Sequence, residues 1–129
     1  MRSSGKEISV NILQLIALWI VGLGILNVWL LRARIATAYR AGDASNMTEE
    51  FKVYGLPPAF MYFIGTIKVS LAIALIAGTW YPRLVQPAAI AMAVLMVSAI
   101  LMHIRVKDTF KKTSPSIAVF LLTILIIAA

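Results

Sequence analysis

The stretch from Ala59 to Trp80 constrains this chain more than any other: about 22 residues, almost wholly apolar, with a single formal charge, Lys68, near its middle. At about 1.5 Å of rise per residue, a helix of that length crosses a hydrocarbon core of about 30 Å. An ammonium group near the bilayer centre costs about 3 kcal/mol on insertion scales. A cost of that size calls for a partner group, a wet cavity or a task. Where Lys68 points is therefore the main question.

Three more apolar runs reach or approach spanning length, and 61% of the 129 residues are hydrophobic, against about half in a soluble globule. The chain reads as one membrane domain over residues 1–129, all-α, an integral membrane four-helix bundle. The spans are expected at about 8–31, 59–80, 84–104 and 114–129. The first run exceeds the roughly 7–15 residues of a signal-peptide core and has no A-x-A-like site after it, so it reads as a retained span. The fourth opens at Ser114-Pro115, with proline at a helix start, and its roughly 16 residues must stand nearly upright or be shielded by neighbours.

Between spans one and two lies the longest polar connection. Asn46 followed by Glu49 has the form of an N-cap with an acid three residues on, Gly55 is a stop signal, and Pro57-Pro58 blocks continuation. A short interfacial helix over about 47–54 is expected. Phe51 and Tyr54 would lie on one side of it, with Glu49, Glu50 and Lys52 elsewhere, as suits a segment on the interface or capping the bundle.

The net charge of +7 sits in short segments beside the apolar runs. That is a positive-inside pattern, with membrane lipid as the partner and no nucleic acid. Connections 32–57 and 105–113 hold Arg32, Arg34, Arg40, Lys52, Arg105, Lys107, Lys111 and Lys112, against Arg2, Lys6 and Arg83 on the other side. The two connections are thus expected in the cytoplasm and both termini outside. With no cysteine, the chain has no disulfide framework, thiolate metal site or CxxC redox pair. All five acids fall outside the spans, which argues against a proton-coupled cation exporter, since that needs an intramembrane carboxylate.

Met61, Gly65, Lys68, Ala72 and Leu75 share one helical stripe, and the small residues mark it as facing other helices. Ala74 and Gly78 form a second small pair. Ala89, Met92, Met96, Ala99 and His103 form a stripe in span three, where plain packing outweighs a cavity lining. Lys68 has two readings: it lies among backbone carbonyls and amide side chains or snorkels, or it binds an anionic or carbonyl-bearing group such as a quinone oxygen or a lipid headgroup. His103, the only histidine, supplies one ligand where a metal needs several, so no metal site is expected. Matched by depth, Asn27, Tyr62 and His103 share a layer with Lys68 about one and a half turns deeper. These four are the candidate ligand-binding residues, in a polar pocket with Asp108 at its mouth.

Gly65-x-x-Lys68-Val69 with Ala72 after it, Pro82-Arg83-Leu84, and His103-x-x-x-x-Asp108 come in an order and at depths that resemble the DoxX-like family of small four-helix membrane proteins. The likeness is strongest from Gly55 to Asp108. The chain departs from the pattern at Lys107, where a glycine often precedes the Asp, and at Ser70-Leu71, where a small Gly is common. The resemblance implies Lys68, His103 and Asp108 as the functional, and candidate catalytic, residues. They would contact a quinone-like or other lipophilic ligand, or form a buried network fixing the bundle. Named relatives are linked to membrane oxidoreductase assemblies, including thiosulfate:quinone oxidoreductases, and distant ones look like receptor-assembly chaperones.

Three functions stay open at this point. One is an accessory or quinone-interacting subunit of a membrane redox complex, with no covalent cofactor and with quinone or lipid as ligand. The second is a non-catalytic assembly subunit or chaperone that anchors a partner helix. The third is a stand-alone membrane enzyme on a small lipophilic substrate. Other membrane subunits, or further copies of the chain, are the expected partners, because four short spans bury little surface.

Overall fold

The computed structural model describes residues 10–31 and 44–129. The expected polar start of the chain, Arg32, Arg34, Arg40 and the Gly42-Asp43 turn lie outside the described residues. Helix α1 covers Ile12–Leu26 and passes into a π-helical turn at Asn27–Leu31. Helix α2 covers Met47–Val53 and α3 Pro58–Ala77. A 3-10 turn at Pro82–Leu84 leads into α4, Val85–Arg105, and α5 covers Phe110–Ala128. Among the described residues, four stretches are long and apolar enough to cross a membrane: Ile12–Leu31, Pro58–Ala77, Pro82–Arg105 and Phe110–Ala128.

Local sequence explains the boundaries. Asn11 and Gln14 form a reciprocal cap on α1: the Asn11 side chain accepts from the Gln14 amide at 2.8 Å, and Gln14 Oε1 accepts from the Asn11 amide at 3.1 Å. Helix α3 opens with Pro58 at its first position, where no N–H is needed. Helix α5 departs from expectation. It starts at Phe110, capped by Thr109, so the fourth span has 19 residues instead of about 16. Pro115 lies inside the helix, and its missing N–H leaves the Lys111 carbonyl without a backbone donor. The Ser114 hydroxyl donates to that carbonyl at 2.7 Å, which lets the helix run through the proline.

The spans close into a ring: α1 packs against α3 and α5, and α4 packs against the same two. The common core joins Leu18 and Val21 of α1, Ala72 and Leu75 of α3, Met92 of α4 and Ile126 of α5. The stripe on α3 is buried at Met61, Gly65, Ala72 and Leu75, with Lys68 half-buried among them. On α4, Ala89, Met92, Met96 and His103 are buried and Ala99 half-buried, and both methionines belong to the core. Close approach depends on small residues, as it must where lipid competes for apolar contact. A Cβ on Gly22 would stand 2.6 Å from Ile76 Cγ1 and 3.2 Å from the Ala72 carbonyl oxygen.

Candidate functional site

The site is built at the end of the bundle where α1 ends, α3 begins, and α4 turns into α5. Helix α2 forms as its cap sequence requires, with Asn46 Oδ1 accepting from the Glu49 amide at 2.8 Å. Gly55, at φ +82°, closes the turn that follows. Phe51 and Tyr54 are buried as expected, and Glu49 and Lys52 are exposed. Glu50 corrects the expectation: it is 8% exposed and lies on the buried side. Positions 50 and 54 are four apart and share a face, so the turn that buries Tyr54 takes Glu50 with it. The Tyr54 hydroxyl donates to Glu50 Oε2 at 2.8 Å.

Helix α4 delivers His103, 4% exposed, to the same point. Its Nε2 lies 3.3 Å from the Tyr54 hydroxyl and 4.0 Å from Glu50 Oε2. Its Nδ1 lies 2.8 Å from Asp108 Oδ2. The spacing from His103 to Asp108 has a backbone cause. Helix α4 ends in a Schellman turn, with the Lys107 amide donating to the Ile104 carbonyl at 3.0 Å and the Asp108 amide to the His103 carbonyl at 3.0 Å. The turn needs a left-handed residue, and Lys107 takes that role at φ 59°. Glycine fits this position without the steric penalty. The turn carries Asp108 back over the last coil of the helix, where its carboxylate meets the imidazole.

Lys68 is neither bare to lipid nor lodged among amides. Its Nζ sits over the Trp29 ring, 5.5 Å from the centroid, a cation–π contact. Trp29 belongs to the π-helical turn at the end of α1, a distortion that re-aims side chains and recurs at functional sites. Gly65 makes room for the indole: a Cβ there would lie 2.6 Å from Trp29 Cζ3. The indole also meets Phe51 in an edge-to-face contact, with ring centroids 5.9 Å apart. One continuous set of contacts thus links α1, α2, α3 and α4: Lys68 to Trp29, Trp29 to Phe51, and the neighbouring Glu50 and Tyr54 to His103 and Asp108.

Of the residues expected at the site, Lys68, His103 and Asp108 are brought to this set. Asn27 and Tyr62 are not. Tyr62 is 68% exposed and Asn27 is exposed too. Tyr62 follows buried Met61 by one residue, about 100° around the helix, which turns it away from the set. Trp29, Glu50 and Tyr54 are the residues that sequence reasoning missed. The i, i+4 pair of Glu50 and Tyr54, next to Phe51 in a capped helix, was the available signal for two of them. Among the described residues, no group of three or more His, Cys, Asp or Glu could hold a metal ion.

Four apolar spans with a capped polar end define a multi-pass integral membrane protein of the four-helix class. A family model described as the DoxX-like family matches residues 15–127, nearly the whole chain, and the protein belongs to that family. No curated protein and no solved structure matches the chain.

Proposed function

We propose that this DoxX-like membrane protein is an accessory subunit of a membrane redox complex, and that it meets a quinone or similar lipophilic carbonyl compound beside Lys68. The observation that carries this reading is a cation held midway along a spanning helix, over an indole face whose ring is packed in turn against Phe51 of α2. The donor set suits such a ligand: an aromatic plane offers stacking, an ammonium donates to a carbonyl oxygen, and Lys68 is half-buried, not sealed. The excess of basic residues in connections 32–57 and 105–113 supports placing those connections in the cytoplasm and both termini outside.

The test is binding of a short-chain benzoquinone to the purified protein in nanodiscs, followed by tryptophan fluorescence. Lys68→Met keeps an unbranched, apolar side chain one atom shorter and removes the ammonium. It is expected to weaken binding by about tenfold or more, the factor for one charge-assisted hydrogen bond. Equal affinity in both folded proteins overturns the reading. One observation favours a second reading, a non-catalytic assembly subunit: among the described residues no buried side-chain nitrogen or oxygen lacks a partner, so the polar cluster can serve as a clamp by itself. A partner complex that assembles and works unchanged with Lys68→Met selects that alternative.

A further inference from the structure

Outside the set of contacts around Lys68, the end of α2 and the start of α3 form a cleft of about 550 Å³, lined by Thr48, Lys52, Gly55, Leu56, Pro57 and Pro58. Small-molecule sites span roughly 300–1,000 Å³. The sequence makes the two walls of this cleft unlike. Thr48 and Lys52 are four apart on α2 and share a face, which brings a hydroxyl and an ammonium to one wall. The other wall follows from the turn that stops α2. Pro57 and Pro58 have no N–H, and the amides of Gly55 and Leu56 are already bonded to the Lys52 and Phe51 carbonyls at 2.9 Å each. That wall is apolar and offers no free donor. The depth of the cleft is set by α3, because Pro58 opens the stretch Pro58–Ala77 that is long and apolar enough to cross a membrane. The cleft therefore lies where hydrocarbon gives way to headgroups. Tyr62, one turn further along α3 on the face of Pro58, is 68% exposed, an aromatic at the depth where tyrosine meets headgroups.

We propose that this cleft seats the headgroup of an anionic phospholipid, with the lipid phosphate on Lys52 and the glycerol end of the lipid against the proline wall. Lys52 is exposed, and among the described residues its ammonium has no ion-pair partner. The carboxylate nearest in sequence, Glu49, is held by the Ser45 amide and hydroxyl at 2.9 and 2.8 Å. The Thr48 hydroxyl donates to the Met61 sulfur at 3.6 Å. A thioether is a weak acceptor, so a phosphate oxygen takes that hydrogen from it readily. A choline or ethanolamine headgroup would bring a second cation beside the ammonium, whereas a lipid of net negative charge brings none. The position at the bilayer boundary makes a lipid of the surrounding leaflet the occupant, its chains continuing beside α3 into the hydrocarbon.

The lipid seat requires no ligand at Lys68, and its test uses none, so failure of quinone binding leaves it standing. Purified protein in mild detergent is titrated with phosphatidylglycerol or with phosphatidylcholine of the same chains, and native mass spectrometry counts the lipids bound. The first phosphatidylglycerol is expected to bind about fivefold more tightly than the first phosphatidylcholine, the factor for one basic residue at an anionic surface. Lys52→Gln is expected to lose that preference and Lys52→Arg to keep it. Lys111→Gln, which removes another exposed charge at the start of α5, is expected to keep it too. By NMR, the Gly55 and Leu56 amide resonances should move with phosphatidylglycerol, while inorganic phosphate, which has nothing to set against the proline wall, should neither move them nor displace the lipid. Equal binding of the two lipids by the wild type overturns the seat. So does an equal loss of preference in Lys52→Gln and Lys111→Gln, which reports attraction spread over the basic surface. Displacement by inorganic phosphate rules out the lipid as the occupant.

Discussion

At the end of the bundle where α1 begins and α5 finishes, the side-chain contacts that join the spans are made, among the described residues, by uncharged groups. The Gln14 amide donates to the Ile126 carbonyl at 2.9 Å, the Gln86 amide to the Ile127 carbonyl at 3.0 Å, and Trp19 Nε1 to Thr79 Oγ1 at 2.9 Å. Two of these accept at carbonyls in the last turn of α5. At the other end the contacts join Glu50, Tyr54, His103 and Asp108. Neutral amides finish helices at small cost and act over one bond length. Buried charges are costly to hold, act over longer distances and change with proton binding. The contrast leaves the first end with single neutral bonds and the second with a buried polar network that one substitution can leave unbalanced.

The comparison can be broken most directly by removing one group from each end. His103→Ala leaves two carboxylates facing the space of the ring they shared, and is expected to cost about 3 kcal/mol, in the range for a broken buried ion pair. Gln14→Leu removes one neutral bond and is expected to cost about 1 kcal/mol. Equilibrium unfolding in mixed micelles measures both. Similar costs at the two ends would erase the distinction. A smaller effect of opposite sign is expected from Lys107→Gly. The left-handed backbone at Lys107 carries a steric penalty of about 1 kcal/mol that glycine lacks. Greater freedom of glycine in the unfolded chain offsets part of it. A stabilisation of up to about 1 kcal/mol with the contact between His103 and Asp108 retained shows that the charged end is held in place against backbone strain. A loss of stability shows that the lysine side chain contributes something the turn geometry does not reveal.

These contrasts also show what could be read from residues in order. The spans follow from run length and composition, and α2 from Asn46, Glu49, Gly55 and the two prolines, because those signals are local. The buried stripe through Gly65 followed from spacing, although the reason for the glycine, the Trp29 ring against it, depends on a helix more than thirty residues earlier. The pairing of His103 with Asp108 was carried by the family pattern, and its backbone cause is visible only once Lys107 is seen in the left-handed region. Rotation is where reasoning by depth failed. Which residues of a helix turn inward is set by its neighbours, and depth matching says nothing of it, so Tyr62 and Asn27 are exposed where a pocket lining was expected. Proline misled at the fourth span, because Ser114 supplies the donor that Pro115 lacks.

The smallest expected effect lies within α2, and it sharpens the comparison by setting the two ends of one short helix against each other. At the start of α2, Glu49 Oε1 accepts from the Ser45 amide at 2.9 Å and from the Ser45 hydroxyl at 2.8 Å. The backbone N–H of Ser45, then its hydroxyl, hold the Glu49 carboxyl below its ordinary 4.5, with Lys52 adding a little through its charge and burial opposing slightly. A carboxyl lowered in the folded state contributes stability that is present above the unfolded value and is lost as pH falls through the folded one. Acid should therefore loosen the Ser45 end of α2, where Glu49 is exposed, whereas at the Tyr54 end Glu50 is buried against the Tyr54 hydroxyl. Since Glu49 is fully exposed, the contribution is modest and should shrink further with salt. An NMR titration checks it: the Glu49 carboxyl should titrate below 4.5, with the Ser45 amide shift following the same curve. In Glu49→Gln the Ser45 shift should no longer move with acid. A Glu49 that titrates at or above its ordinary value, or a Ser45 amide that does not follow it, removes the opposition between the two ends of α2.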